Sequence, residues 1–64
     1  MDNTFKDRLQ KEFEELQEKK SKLESFVNSN KINTVTPIQK SLLVVQLDAM
    51  NTYATCLYER LQNL

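Results

Sequence analysis

The sequence contains no glycine, no histidine and no tryptophan, and it has one proline and one cysteine. Each absence removes a class of function. Without histidine, and with Cys56 alone, neither a conventional zinc site nor a His-based catalytic triad can be assembled. Without glycine, phosphate loops of the Walker or dinucleotide type are excluded, because their tight turns need glycine dihedrals. A single cysteine cannot close an intrachain disulfide, which suits a reducing cytoplasm. No apolar run approaches the ~18 residues of a membrane span, and no signal-peptide pattern opens the chain. An excess of charge of either sign is also missing, since nine Lys and Arg balance nine Asp and Glu. That leaves no broad electrostatic handle for duplex nucleic acid or an anionic membrane. The expectation is a non-enzymatic protein with no metal and no cofactor.

What remains is helical. The 64 residues make one small domain, read as a single helical hairpin over 1–64. From about residue 3 to residue 27, Lys, Glu, Gln and Leu dominate, all good helix formers. Leu9, Leu16 and Leu23 recur every seven residues, and Phe5, Phe13, Phe26 and Val27 are assigned to the same apolar face. Asp2, Asn3 or Thr4 supplies the N-cap. Three acid-first pairs, Asp7–Lys11, Glu15–Lys19 and Glu18–Lys22, have i,i+4 spacing. Asn28-Ser29-Asn30 then breaks the helix, because short polar side chains compete for backbone hydrogen bonds. A polar loop over 28–36 follows, with Ile32 and Val35 tucked under the helix ends. Thr36-Pro37-Ile38-Gln39 has the residues of a capping box, with proline where its missing N–H costs nothing. Helix two therefore spans about 37–63.

The two helices differ in character. Residues 1–27 carry thirteen charges, whereas 37–64 carry Lys40, Asp48, Glu59 and Arg60. Leu43, Leu47, Met50, Ala54, Leu57, Leu61 and Leu64 step alternately by four and three, a heptad seam that needs helix one as its partner. Leu42, Ala49 and Cys56 form a second line, and Val44, Val45 and Tyr58 widen the apolar arc. One hairpin buries only one stripe, so the surplus points outward. A single seam is too little for so small a chain without disulfide or metal, and self-association is the remaining route. The expected fold is all-α: an antiparallel two-helix hairpin assembling into a homo-oligomeric helical bundle, in its simplest form four helices.

Few residues qualify as a site. Gln46, Tyr53 and Arg60 are spaced by seven along one edge of helix two, with small residues at 49 and 56 between them. Tyr53 can stack on a flat ring, Arg60 can fork a phosphate, and Gln46 can read a base or ribose edge. The same spacing also fits a polar rim on an oligomer interface. Lys19, Lys20 and Lys22 cluster late in helix one, either to capture phosphate or as part of a solvated face. Lys19 and Lys20 lie at or beside heptad positions, which aims one of them at the inter-helix groove or at a neighbouring subunit. Cys56 is read as a buried, inert thiol, and the three phenylalanines as core.

The run from Leu42 to Tyr53, with its Leu-Leu, Gln46, Ala49-Met50 and Tyr53, followed by Leu57 and Glu59-Arg60-Leu61, resembles a group of small phage proteins. Arg8-Leu9, the Glu-rich stretch to Leu16 and Lys22-Leu23-Glu24-Ser25-Phe26 resemble the same group. That group is similar to the helical hairpin domain of phage anti-CBASS and anti-Thoeris sponges. The resemblance implies a homo-oligomer, often a hexamer, that holds a cyclic oligonucleotide or cyclic ADP-ribose-type signal between protomers without cleaving it. It places the protein in the cytoplasm of the infected bacterial host. Arg60, Tyr53, Gln46, Lys19, Lys20 and Lys22 are the candidate ligand contacts. The competing reading is a small phage regulator that docks its apolar helix-two face onto a host protein.

Overall fold

A computed structural model describes residues 4–64. It contains helix α1 (Thr4–Val27), a 3-10 helix (Asn30–Thr34) and helix α2 (Pro37–Gln62). The N-cap candidates Asp2 and Asn3 lie outside the described residues, and Thr4 is already helical. The two long helices pack along each other as a hairpin, a rod of 50 × 15 × 13 Å. Its radius of gyration is 14.8 Å, where a compact chain of this length would have about 11 Å.

The rod has one interior. Leu9 and Leu16 from α1 meet Ala54 and Leu57 from α2, with Phe13, Met50 and Leu61 packed against them. On α1 the inward series runs Leu9, Phe13, Leu16, Lys20, Leu23 and Val27, all buried or half-buried at steps of four and three. On α2 the seam holds from Leu43 to Leu61. Leu64, expected to extend it, is 61% exposed, because α2 has ended by then. Phe5 also departs from the core reading at 56% exposure, whereas Phe13 and Phe26 are half-buried. Phe5 precedes the first inward leucine by a full turn and has no seam residue of α2 opposite it.

The turn is more ordered than a polar loop. Ser29 Oγ donates to the Phe26 carbonyl at 2.9 Å and accepts from Lys31 N–H at 3.2 Å. One hydroxyl thus closes α1 and opens the 3-10 helix, the competition for backbone partners that such residues introduce. Ile32 is buried within that short helix and Val35 is half-buried after it. No described residue has a positive φ, so the chain reverses without the glycine it lacks. Thr36 adopts extended angles, and its Oγ1 accepts from Gln39 N–H at 3.3 Å, which starts α2 with Pro37 in the first turn. At the far end Asn63 donates to the Glu59 and Arg60 carbonyls. Of the three expected charge pairs Glu18–Lys22 closes, at 3.5 Å, with both side chains exposed. Asp7–Lys11 and Glu15–Lys19 do not, as expected of long solvated side chains whose entropy outweighs a weak pair.

Two stability changes follow. Thr36→Ala lowers unfolding free energy by about 0.5–2 kcal/mol as a lost N-cap, while Thr34→Ala, which removes an exposed bond to the Lys31 carbonyl, costs less. Leu57→Ala, at the 1% exposed centre of the seam, costs about 2–5 kcal/mol. Denaturant titration followed by circular dichroism checks both.

Candidate functional site

The heptad series of α1 contains a cation. Lys20 occupies an inward position between Leu16 and Leu23, and it is half-buried. Beside it a cleft of about 250 Å³ opens between the helices, lined by Phe13, Gln17, Lys20, Asn51, Ala54, Thr55 and Tyr58. The antiparallel register makes this possible. Phe13 meets Tyr58, with ring centroids 6.2 Å apart at 45°, and one or two turns further along Gln17 and Lys20 come level with Asn51, Ala54 and Thr55. The cleft thus offers an ammonium, two aromatic rings, two carboxamides and a hydroxyl. Thr55 donates its own proton back to the Asn51 carbonyl at 3.0 Å, so its oxygen faces a ligand as an acceptor. Gln17 Oε1 is buried with no hydrogen-bond partner, a polar atom left unsatisfied at the edge of the cleft.

The other residues singled out in the sequence lie elsewhere. At about 100° per residue, Gln46, Tyr53 and Arg60 fall on the flank of α2 opposite to Asn51, Thr55 and Tyr58. All three are exposed. Arg60 sits 6.0 Å above the Phe5 ring, a cation–π contact that ties the end of α2 to the start of α1. The lysine cluster is divided. Lys20 enters the cleft, Lys19 is exposed and falls by spacing on the flank of Tyr53, and Lys22 turns outward to Glu18. Lys22 also borders a second hollow, of about 380 Å³, at the hairpin end with Ser25, Phe26, Ser29 and Lys31. Cys56 is exposed, contrary to the buried thiol expected, because it projects from the side of α2 away from α1.

Phe13, Gln17, Asn51, Thr55 and Tyr58 carried no functional signal when each helix was read alone. The clue was Lys19 and Lys20 at or beside apolar heptad positions, combined with a register that the pairing of the two helices fixes. Among the described residues no group of His, Cys, Asp or Glu could hold a metal ion, and no helix is long and apolar enough to cross a membrane.

A hairpin of two amphipathic helices with a polar, cation-bearing cleft beside its seam defines the class. The family model described as Sequestin matches residues 3–63, and the chain belongs to that family. It is 33% identical over 57 residues, 89% of each chain, to the "Uncharacterized 7.5 kDa protein in denB-rIIB intergenic region" of Enterobacteria phage T4. No solved structure matches the chain.

An ammonium in a seam costs stability that an apolar residue would not. Lys20→Leu therefore raises the unfolding free energy by about 1 kcal/mol, part of the value of a buried leucine. Thermal denaturation with and without the substitution measures it; a lowered melting temperature would mean that the ammonium is satisfied within the hairpin.

Proposed function

We propose that this protein is a phage sponge, which binds a cyclic nucleotide immune signal of the cyclic oligonucleotide or cyclic ADP-ribose type and sequesters it without cleavage. It acts as a homo-oligomer in the cytoplasm of the infected host. The observation that carries this reading is the cleft beside Lys20. A cyclic nucleotide brings fixed phosphate charge, flat bases and ribose hydroxyls. Lys20 meets the first, Tyr58 or Phe13 the second, and the Asn51 and Gln17 amides with Thr55 the third. The cleft lining includes no carboxylate, and the sequence has no histidine to move a proton, which favours capture over catalysis. Membership of the Sequestin family and the resemblance to sponge hairpins point the same way. Gln46, Tyr53 and Arg60 supply a second set of contacts on the opposite flank, with Lys19 beside them.

A host-protein docking module is the second reading, favoured by Ile38, Leu42 and Val45, each more than half exposed on α2. The two readings separate in one experiment. The purified chain is incubated with cyclic dinucleotides, cyclic trinucleotides and cyclic ADP-ribose isomers, washed, and denatured by heat. Recovery of one intact compound is the expected result, and recovery of none, or of cleaved products, overturns the proposal.

Calorimetry on folded variants then ranks the contacts. Lys20→Ala loses a charge-assisted contact of about 1.5–3 kcal/mol, roughly ten- to hundredfold in affinity. Arg60→Ala and Tyr53→Ala report on the opposite flank, and Tyr53→Phe costs little if the ring only stacks. Binding that survives Lys20→Ala unchanged moves the site to that flank.

A further inference from the structure

The chemistry of the cleft changes along its length. At one end the Phe13 and Tyr58 rings meet, and at the other Lys20 comes beside Asn51. Gln17 from α1 and Ala54 and Thr55 from α2 lie between them. Tyr58 and Asn51 are seven residues apart, about 10 Å along the helix axis. The order is aromatic face, hydrogen-bonding middle, ammonium. A nucleotide has the same order, with its sugar between base and phosphate.

The two side-chain oxygens in the middle accept and do not donate. Thr55 Oγ1 lies 3.0 Å from the Asn51 carbonyl, which has no proton to give, so the hydroxyl proton is committed to that bond. Only its lone pairs are left for a ligand. Gln17 Oε1 is an amide oxygen, buried without a partner. The terminal torsion of a glutamine is soft, so that oxygen can turn toward a donor entering the cleft. A sugar with no free hydroxyl offers these atoms nothing, because its ring and ester oxygens are acceptors too. Amino groups on the base lie with the base, at the aromatic end. A ribose with one free hydroxyl supplies the missing proton at the right place. In a cyclic oligonucleotide closed through its 3′ and 5′ oxygens, that group is the 2′-hydroxyl.

We propose that Thr55 selects ribose over deoxyribose signals, its oxygen accepting from a free ribose hydroxyl with Gln17 as the second acceptor. Lys20 then holds the phosphate toward the hairpin turn, and the Phe13–Tyr58 pair holds the base toward the end of α2. This rests on capture of a nucleotide signal in the cleft, and it adds which sugar is taken and which way round. Thr52 provides a control. It makes the same kind of bond, to the Asp48 carbonyl at 3.2 Å, but is not part of the cleft lining.

Calorimetry on the full chain tests it. The probes are cyclic diadenylate, cyclic triadenylate and cyclic ADP-ribose, each paired with its 2′-deoxy form. A probe that binds loses about three- to tenfold in affinity as the 2′-deoxy form, the value of one hydrogen bond. Thr55→Val, close in shape but without an acceptor, abolishes that difference by weakening the ribose form. Thr55→Ser keeps the difference, and so does Thr52→Val, which removes the same backbone bond outside the cleft. The readout is a ratio within one variant, so a general loss of stability does not imitate it. Equal binding of ribose and deoxyribose forms by the natural chain overturns the inference and leaves capture standing. So does a difference that survives Thr55→Val. Binding of no probe counts against the proposed function, and the sugar selection falls with it.

Discussion

Two helices joined by a short turn share a single line of contact, and the rest of the molecule is arranged around that line. Leu9, Leu16, Ala54 and Leu57 fill it, and no third element lies behind them. The seam fixes the antiparallel register, and the register decides which flanking residues of α1 face which residues of α2. Because Phe13 is held against Tyr58, Lys20 must come beside Asn51. A slip of one heptad would separate the ammonium from that amide by about 10 Å. The candidate site is therefore a by-product of the packing line, with no loop or cofactor of its own.

The same line shows where stability is given up. A seam of leucines throughout would be more stable, and at Lys20 the chain departs from it. Gln17 beside it keeps a buried amide oxygen without a partner. Departures from local consistency concentrate where a protein binds something. In this hairpin they fall together on one flank, while the opposite side of α2 carries an apolar stripe with no polar purpose. The rod thus carries a polar cleft on one flank and an exposed apolar stripe on α2.

Much of the fold was legible because its signals are local. Thr36-Pro37-Ile38-Gln39 marks the start of α2 through one side-chain bond that the structure contains. The leucine periodicities identify both inner faces, since spacing alone determines which residues share a side. Residues at the ends were less legible. Phe5 and Leu64 fit the apolar pattern, but α2 ends at Gln62, too early to cover Phe5 or to hold Leu64 in the seam. The turn looked like a polar loop because a 3-10 helix has too few residues to display a period. The site was legible only in part. Lys19 and Lys20 stood out together as anomalies in one helix, without a choice between them, whereas Phe13, Gln17, Asn51, Thr55 and Tyr58 converge through a pairing between helices that neither helix encodes alone. Cys56 was read as buried for want of an activating neighbour, and it is exposed on the side of α2 away from α1.

The central claim is that the cleft beside Lys20, and not the apolar face of α2, is where a nucleotide signal is held. Titration of the isotope-labelled chain with cyclic ADP-ribose isomers and cyclic oligonucleotides, followed by NMR, addresses it residue by residue. The account predicts that the compound that binds shifts the Gln17 and Asn51 side-chain amides and the signals of Lys20, Thr55 and Tyr58, leaving those of Ile38, Leu42 and Val45 in place. Shifts confined to the α2 stripe, or none with any compound, would contradict it.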